Sequence, residues 1–106
     1  MTFSPRGFSK LQDLSLFDLD KLKNLHVEEG TLPNLKELSI VECIELEMLP
    51  DGLKHVTTLQ ELTLEMPKQF NDRVQVDGGE DWYKIKHVPY ITTLNSEIRI
   101  EGRART

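Results

Sequence analysis

The sequence predicts an α/β solenoid, in which coils of chain stack on one another. Each coil gives one strand to a short parallel β-sheet on the concave side, and irregular or short helical arcs return along the convex side. Three observations predict it. Of 16 leucines, 15 fall between Leu11 and Leu64 and only Leu94 lies beyond. Within that stretch LxxLxL recurs as Leu11, Leu14, Leu16, then Leu35, Leu38, Ile40, then Leu59, Leu62, Leu64, each set 24 residues after the last. Gly30, Pro33, Pro50 and Gly52 interrupt the connecting stretches, where a continuous amphipathic helix would break. A fixed period of about 20–29 residues carrying LxxLxL is the leucine-rich-repeat pattern, and it gives about three repeats plus a C-terminal cap.

Residues 1–10 read as a truncated lead-in, so the first strand is expected to present a bare edge. Residues 11–67 hold the three repeats of period 24. Each unit is too small to bury its own leucines, so the units must pool them. Alternation at period two directs Leu14, Leu16, Leu38, Ile40, Leu62 and Leu64 inward. Leu22, Leu25, Leu46, Leu49, Leu53 and Val56 come from the returning arcs and close the core. Cys43 stands at the turn position, where a buried thiol is expected. Past Glu65 the rhythm fails, with Arg73 where Leu25 and Leu49 stood. Residues 68–94 then read as a cap in which Val74, Val76, Trp82, Ile85, Val88, Ile91 and Leu94 cover the last repeat, and Gly78-Gly79 as a turn. Residues 95–106 form a polar tail, expected to fray.

Composition excludes several function classes. With 18 acidic against 13 basic residues the net charge is −5, which gives no footprint for nucleic acid. No apolar run approaches the ~20 residues of a membrane helix, and the opening MTFSPRGFSK has no signal-peptide core. One cysteine forbids an intrachain disulfide, and no Asn-x-Ser/Thr sequon occurs. The expected setting is therefore cytoplasmic, without membrane or nucleic-acid partners. His26, His55 and His87 form no metal-ligand spacing, and no phosphate-binding loop or nucleophile elbow occurs, so the chain is expected to be no enzyme and to need no cofactor or metal.

Function in such a scaffold lies on the outward-facing strand positions. In register these make three columns: Asp13, Glu37 and Glu61; Ser15, Ser39 and Thr63; Phe17, Val41 and Glu65. The first is wholly acidic. Residues 11–64 carry 4 basic and 11 acidic residues, while 65–106 balance at 7 and 7. A basic protein surface is the expected counterpart. The plain alternative is a solvated face with Lys36 partly offsetting the repulsion. Phe17 and Val41 are the candidate apolar anchors on this face.

The run GFSKLQDLSLFDLDKLKNLHVEEGTLPNLKELSIVECIELEMLPDGLKHVTTLQELTLEMP, followed by FNDRV and GEDWYKIKHVPYI, resembles the C-terminal end of plant nucleotide-binding leucine-rich-repeat disease-resistance proteins of the coiled-coil class. EEGTLPNLKELSIVEC, LPDGL and the closing GEDWYKIKHVP carry the likeness, which spans residues 7 to 94. The resemblance implies an intracellular role in innate immunity. The repeat region of that family senses pathogen effectors or host targets and helps to hold the nucleotide-binding switch inactive. This sequence has no P-loop and no signalling region, so a fragment or truncated product is expected rather than the switch itself. A stand-alone adaptor of generic leucine-rich type is the competing reading.

Overall fold

The computed structural model describes residues 2–3 and 10–95. The 24-residue spacing of the sequence becomes hydrogen-bonded register. Strand β2 (Asp13–Phe17) pairs in parallel with β4 (Glu37–Val41), and β4 with β5 (Glu61–Met66), so that Leu14 faces Leu38 and Leu38 faces Leu62. Strands β1 (Thr2–Phe3) and β3 (His26–Val27) make a separate two-stranded parallel pair. The chain is thus a small α/β domain with a short parallel sheet and few helices.

The connections repeat as the strands do. Asp18 and Glu42, 24 residues apart, both take a positive φ, of 54° and 53°, and turn the chain out of β2 and β4. Their amides donate to the carbonyls of Val41 and Glu65 on the neighbouring strands. The turns beyond them close alike: Leu22 N–H donates to Leu19, Leu46 to Cys43 and Phe70 to Pro67. Cys43 is fully buried, and its thiol donates weakly to the carbonyls of Leu16 and Val41, each 3.6 Å away. On the returning side a 3-10 turn spans Asp51–His55. Its Gly52 lies against the Val27 carbonyl so closely that no Cβ could fit.

The core runs between sheet and return. Leu38, Ile40, Leu62 and Leu64 are buried from the strands, and Leu25, Leu46, Leu49, Leu53 and Val56 from the arcs. Leu14 and Leu22, expected inside, are only half-buried, as are Leu11 and Leu19. They belong to β2 and its arc, and β2 is an outer strand of the sheet among the described residues, with one neighbour instead of two.

After β5 the chain forms helices α1 (Lys68–Asp72) and α2 (Trp82–Ile85), then strand β6 (Tyr90–Asn95). β6 pairs in parallel with β5, and the sheet order is β2-β4-β5-β6. This fourth strand was not anticipated, and its offset explains why. Glu61 faces Tyr90, 29 residues on, whereas a spacing of 24 points to Ile85 in α2. Of the apolar residues expected to cover the last strand, Val74, Ile85 and Val88 are buried, and Trp82 and Ile91 half-buried. Val76 and Leu94 do not cover it; they are exposed. The stretch expected to fray lies outside the described residues beyond Asn95.

Candidate functional site

The outward side of the sheet brings together all nine positions singled out in the sequence. Asp13, Glu37 and Glu61 lie in one cross-strand row, Ser15, Ser39 and Thr63 in the next, and Phe17, Val41 and Glu65 in the third. Strand pleating places all three rows on one face, opposite the buried leucines. The three carboxylates, Ser15 and Phe17 are exposed; Ser39, Val41, Thr63 and Glu65 are half-buried. β6 adds a fourth residue to each row. Tyr90 continues the acidic row, Thr92 the hydroxyl row and Leu94 the third. A fixed spacing of 24 does not reach these three residues, which lie 29 positions after their partners on β5. The available signal was the alternation of Tyr-Ile-Thr-Thr-Leu, rich in residues that favour strands.

Rows of like charge at strand spacing repel. A side-chain hydrogen bond shared with Asp13, then the charges of Asp13 and Glu61, push the Glu37 carboxyl above its ordinary value. A cation from outside would relieve that repulsion, so the row is poised to accept positive charge. The third row holds the apolar contribution, with Phe17 55% exposed at one end and Leu94 47% at the other.

Behind the sheet an ion cluster explains the two motifs that follow the leucine pattern. Asp81, 1% exposed, receives Lys84 Nζ at 2.8 Å, Arg73 Nε at 3.0 Å and the backbone N–H of Leu49 at 3.1 Å. Lys84, itself buried, also donates to the Leu49 carbonyl at 2.8 Å. Burial pushes the Asp81 carboxyl up, but the hydrogen bonds from Arg73, Lys84 and Leu49 outweigh it and hold it below the usual carboxylate range. Burial likewise lowers Lys84, and its bonds to Asp81 and Asp51 reverse the sign. Tyr83 donates to Asp51 at 2.8 Å on the rim. Arg73, which breaks the leucine column, is thus a clamp residue: FNDRV and GEDWYK tie helix α2 to the backbone ahead of the 3-10 turn. The charges of the cluster are paired with one another, and its bonds join α2 to the segment before the 3-10 turn.

The chain is 40% identical over 98 residues to a disease resistance protein RPH8A of Arabidopsis thaliana, a match that covers 92% of this chain. It is 41% identical to a probable disease resistance RPP8-like protein 2 and 39% to disease resistance protein RPP8 of the same plant, each again over 92% of the chain. This chain is related to the plant disease-resistance proteins. It spans about a tenth of their length, 11% in each of these three. No family model matches the chain, and no solved structure matches it significantly. At 98 of 106 residues the match takes in the sheet and clamp residues rather than a short motif alone.

Among the described residues no group of three or more His, Cys, Asp or Glu side chains is placed to hold a metal ion. His26 and His55 are exposed on the returning side, and His87 Nε2 lies 3.0 Å from the Val56 carbonyl. No described helix is long and apolar enough to cross a membrane.

Proposed function

We propose that the chain is a non-enzymatic leucine-rich-repeat module that binds protein through the outward face of its sheet, as one part of a longer cytoplasmic immune receptor of plants. The stacked-coil reading rests on the 24-residue register shared by strands, αL turns and turn hydrogen bonds. The role in defence rests on the kinship with resistance proteins. The single observation that carries the binding reading is the exposed row Asp13, Glu37, Glu61, set beside the apolar ends Phe17 and Leu94 on one continuous face. The partner is a protein with a basic surface: a pathogen effector, a host target, or the nucleotide-binding domain of the receptor itself. Long-range attraction to such a surface speeds encounter and is weakened by salt.

The test is binding of wild type and a Glu37→Lys/Glu61→Lys double variant to basic candidates from those three groups, across a salt series. The variant should lose affinity by on the order of tenfold and show a flatter salt dependence. Equal affinity for every partner that wild type binds would end the reading.

A further inference from the structure

The outward face of the sheet has relief as well as charge. Its middle row, Ser15, Ser39, Thr63 and Thr92, carries only short hydroxyl side chains. Longer side chains stand on either side, Asp13, Glu37, Glu61 and Tyr90 in one row and Phe17, Val41, Glu65 and Leu94 in the other. Ser39 and Thr63 are half-buried between those rows, whereas Glu37, Glu61, Tyr90, Phe17 and Leu94 are exposed. At ~3.3 Å per residue the two outer rows lie ~13 Å apart. A shallow trough therefore crosses the strands, walled by carboxylates and a tyrosine ring on one side and mainly by apolar groups on the other.

That trough has the dimensions of a helix. An α-helix with its side chains is ~10–12 Å wide and rises ~5.4 Å per turn, close to the ~4.8 Å between strands. A helix laid along the trough brings one turn over each strand, and across all four strands the mismatch is only about 2 Å. An extended segment repeats its side chains every ~6.6 Å and falls out of step by about 5 Å over the same distance. The face, roughly half a standard interface in area, also suits one element better than a whole globular surface.

We infer, on the footing of the basic-partner reading above, that the partner presents an α-helix lying across the strands along the hydroxyl row. Its flank over Asp13, Glu37, Glu61 and Tyr90 carries arginine or lysine, and its opposite flank carries aliphatic side chains against Phe17, Val41 and Leu94. The residues between the flanks, which face Ser39 and Thr63, are small. Successive helix residues differ by ~100°, so such a helix reads as aliphatic-small-basic triplets that recur every three or four residues. Arginine suits the basic flank best, because its guanidinium can pair with a carboxylate or stack on the Tyr90 ring. The apolar row fixes how the helix is turned about its own axis, which charge alone would leave free.

The experiment is a titration of the full chain, followed by residue-resolved NMR, with a capped peptide of two Leu-Ala-Arg-Gln-Leu-Ala-Arg repeats. A hydrocarbon staple in place of its two glutamines holds it helical from the solvent side; the comparison peptide carries proline at those two positions. The stapled peptide should bind about tenfold or more tightly than the proline peptide and should shift the amides of Ser39 and Thr63. Equal affinity, or no binding of the stapled peptide, would overturn the inference. A Ser39→Tyr/Thr63→Tyr variant, which fills the trough and keeps every charge, should lose the preference for the helix; a preference left intact would refute it. The Glu37→Lys/Glu61→Lys variant separates the two readings. If the peptides bind wild type equally and charge reversal weakens both, the helix falls and the basic-partner reading stands. If charge reversal weakens neither, both fall. Should the filled variant fail to fold, the two peptides on wild type still decide.

Discussion

At the scale of single residues, Asp81 and Glu37 are carboxylates moved in opposite directions by their surroundings. Asp81 is held low by Arg73, Lys84 and Leu49 N–H against the cost of burial. Removing it takes the nearest carboxylate from the buried Lys84 ammonium, which keeps only the Leu49 carbonyl and the rim carboxylate Asp51, and deprives the Leu49 N–H of its acceptor. Asp81→Ala should therefore lower unfolding free energy by about 3–5 kcal/mol in denaturant titrations, and an Asp81→Leu/Lys84→Met pair by clearly less, since no charge is left alone. A single variant within about 0.5 kcal/mol of wild type would show that the clamp contributes little. The sign of the pH effect follows. With a folded pKa below the unfolded value of about 3.9, the contribution of Asp81 is full above that value and is lost as pH falls through the folded one. Glu37 runs the other way. Its folded pKa is raised, so the proton it binds favours the fold in acid and that benefit fades as pH rises through the folded value. Glu37→Gln should raise the melting temperature at neutral pH, and the difference from wild type should close below about pH 4. A neutral-pH melting temperature unchanged by the substitution would mean that solvent already screens the acidic row.

Among the elements, the 3-10 turn and the strand exits impose the tightest backbone demands. A Cβ built on Gly52 would fall 1.6 Å from the Val27 carbonyl oxygen, so the turn docks directly on β3. Gly52→Ala must separate the two segments and should cost about 1–3 kcal/mol or more, read as a drop in the thermal midpoint. Gly30 offers the contrast. It has φ +85° and open space around it, so Gly30→Ala meets only the backbone penalty of the left-handed region, about 1–2 kcal/mol. If Gly30→Ala proves the more damaging of the two, the close docking of the 3-10 turn is not what holds the return arc. Strands β2, β4 and β5 were legible because their side chains obey two periods at once, two along the strand and 24 between strands. β6 obeys only the first. Its connection is longer by the clamp and α2, which shifts the spacing to 29 and hides it from a search at constant offset.

For the molecule as a whole, area limits what the sheet can bind by itself. Four strands about 20 Å long at ~4.8 Å spacing present roughly 400 Å², about half of the ~800 Å² that each partner gives to a standard interface. The isolated chain should bind its partner only weakly, with Kd above about 1 μM by titration calorimetry. Nanomolar binding would require contacts beyond this face.

Residue pattern alone determined the parallel register, the inward leucines of the two central strands and the nine outward positions. Those features follow from local periodicities, which are properties of sequence spacing. Tertiary structure decided the rest. It showed Arg73, Asp81 and Lys84 converging on Leu49 across up to 35 residues of chain, and Tyr90, Thr92 and Leu94 completing the rows. It also left Leu14 and Leu22 half-covered, because burial depends on having a neighbour on each side, and no spacing within the sequence records how many neighbours a strand will have.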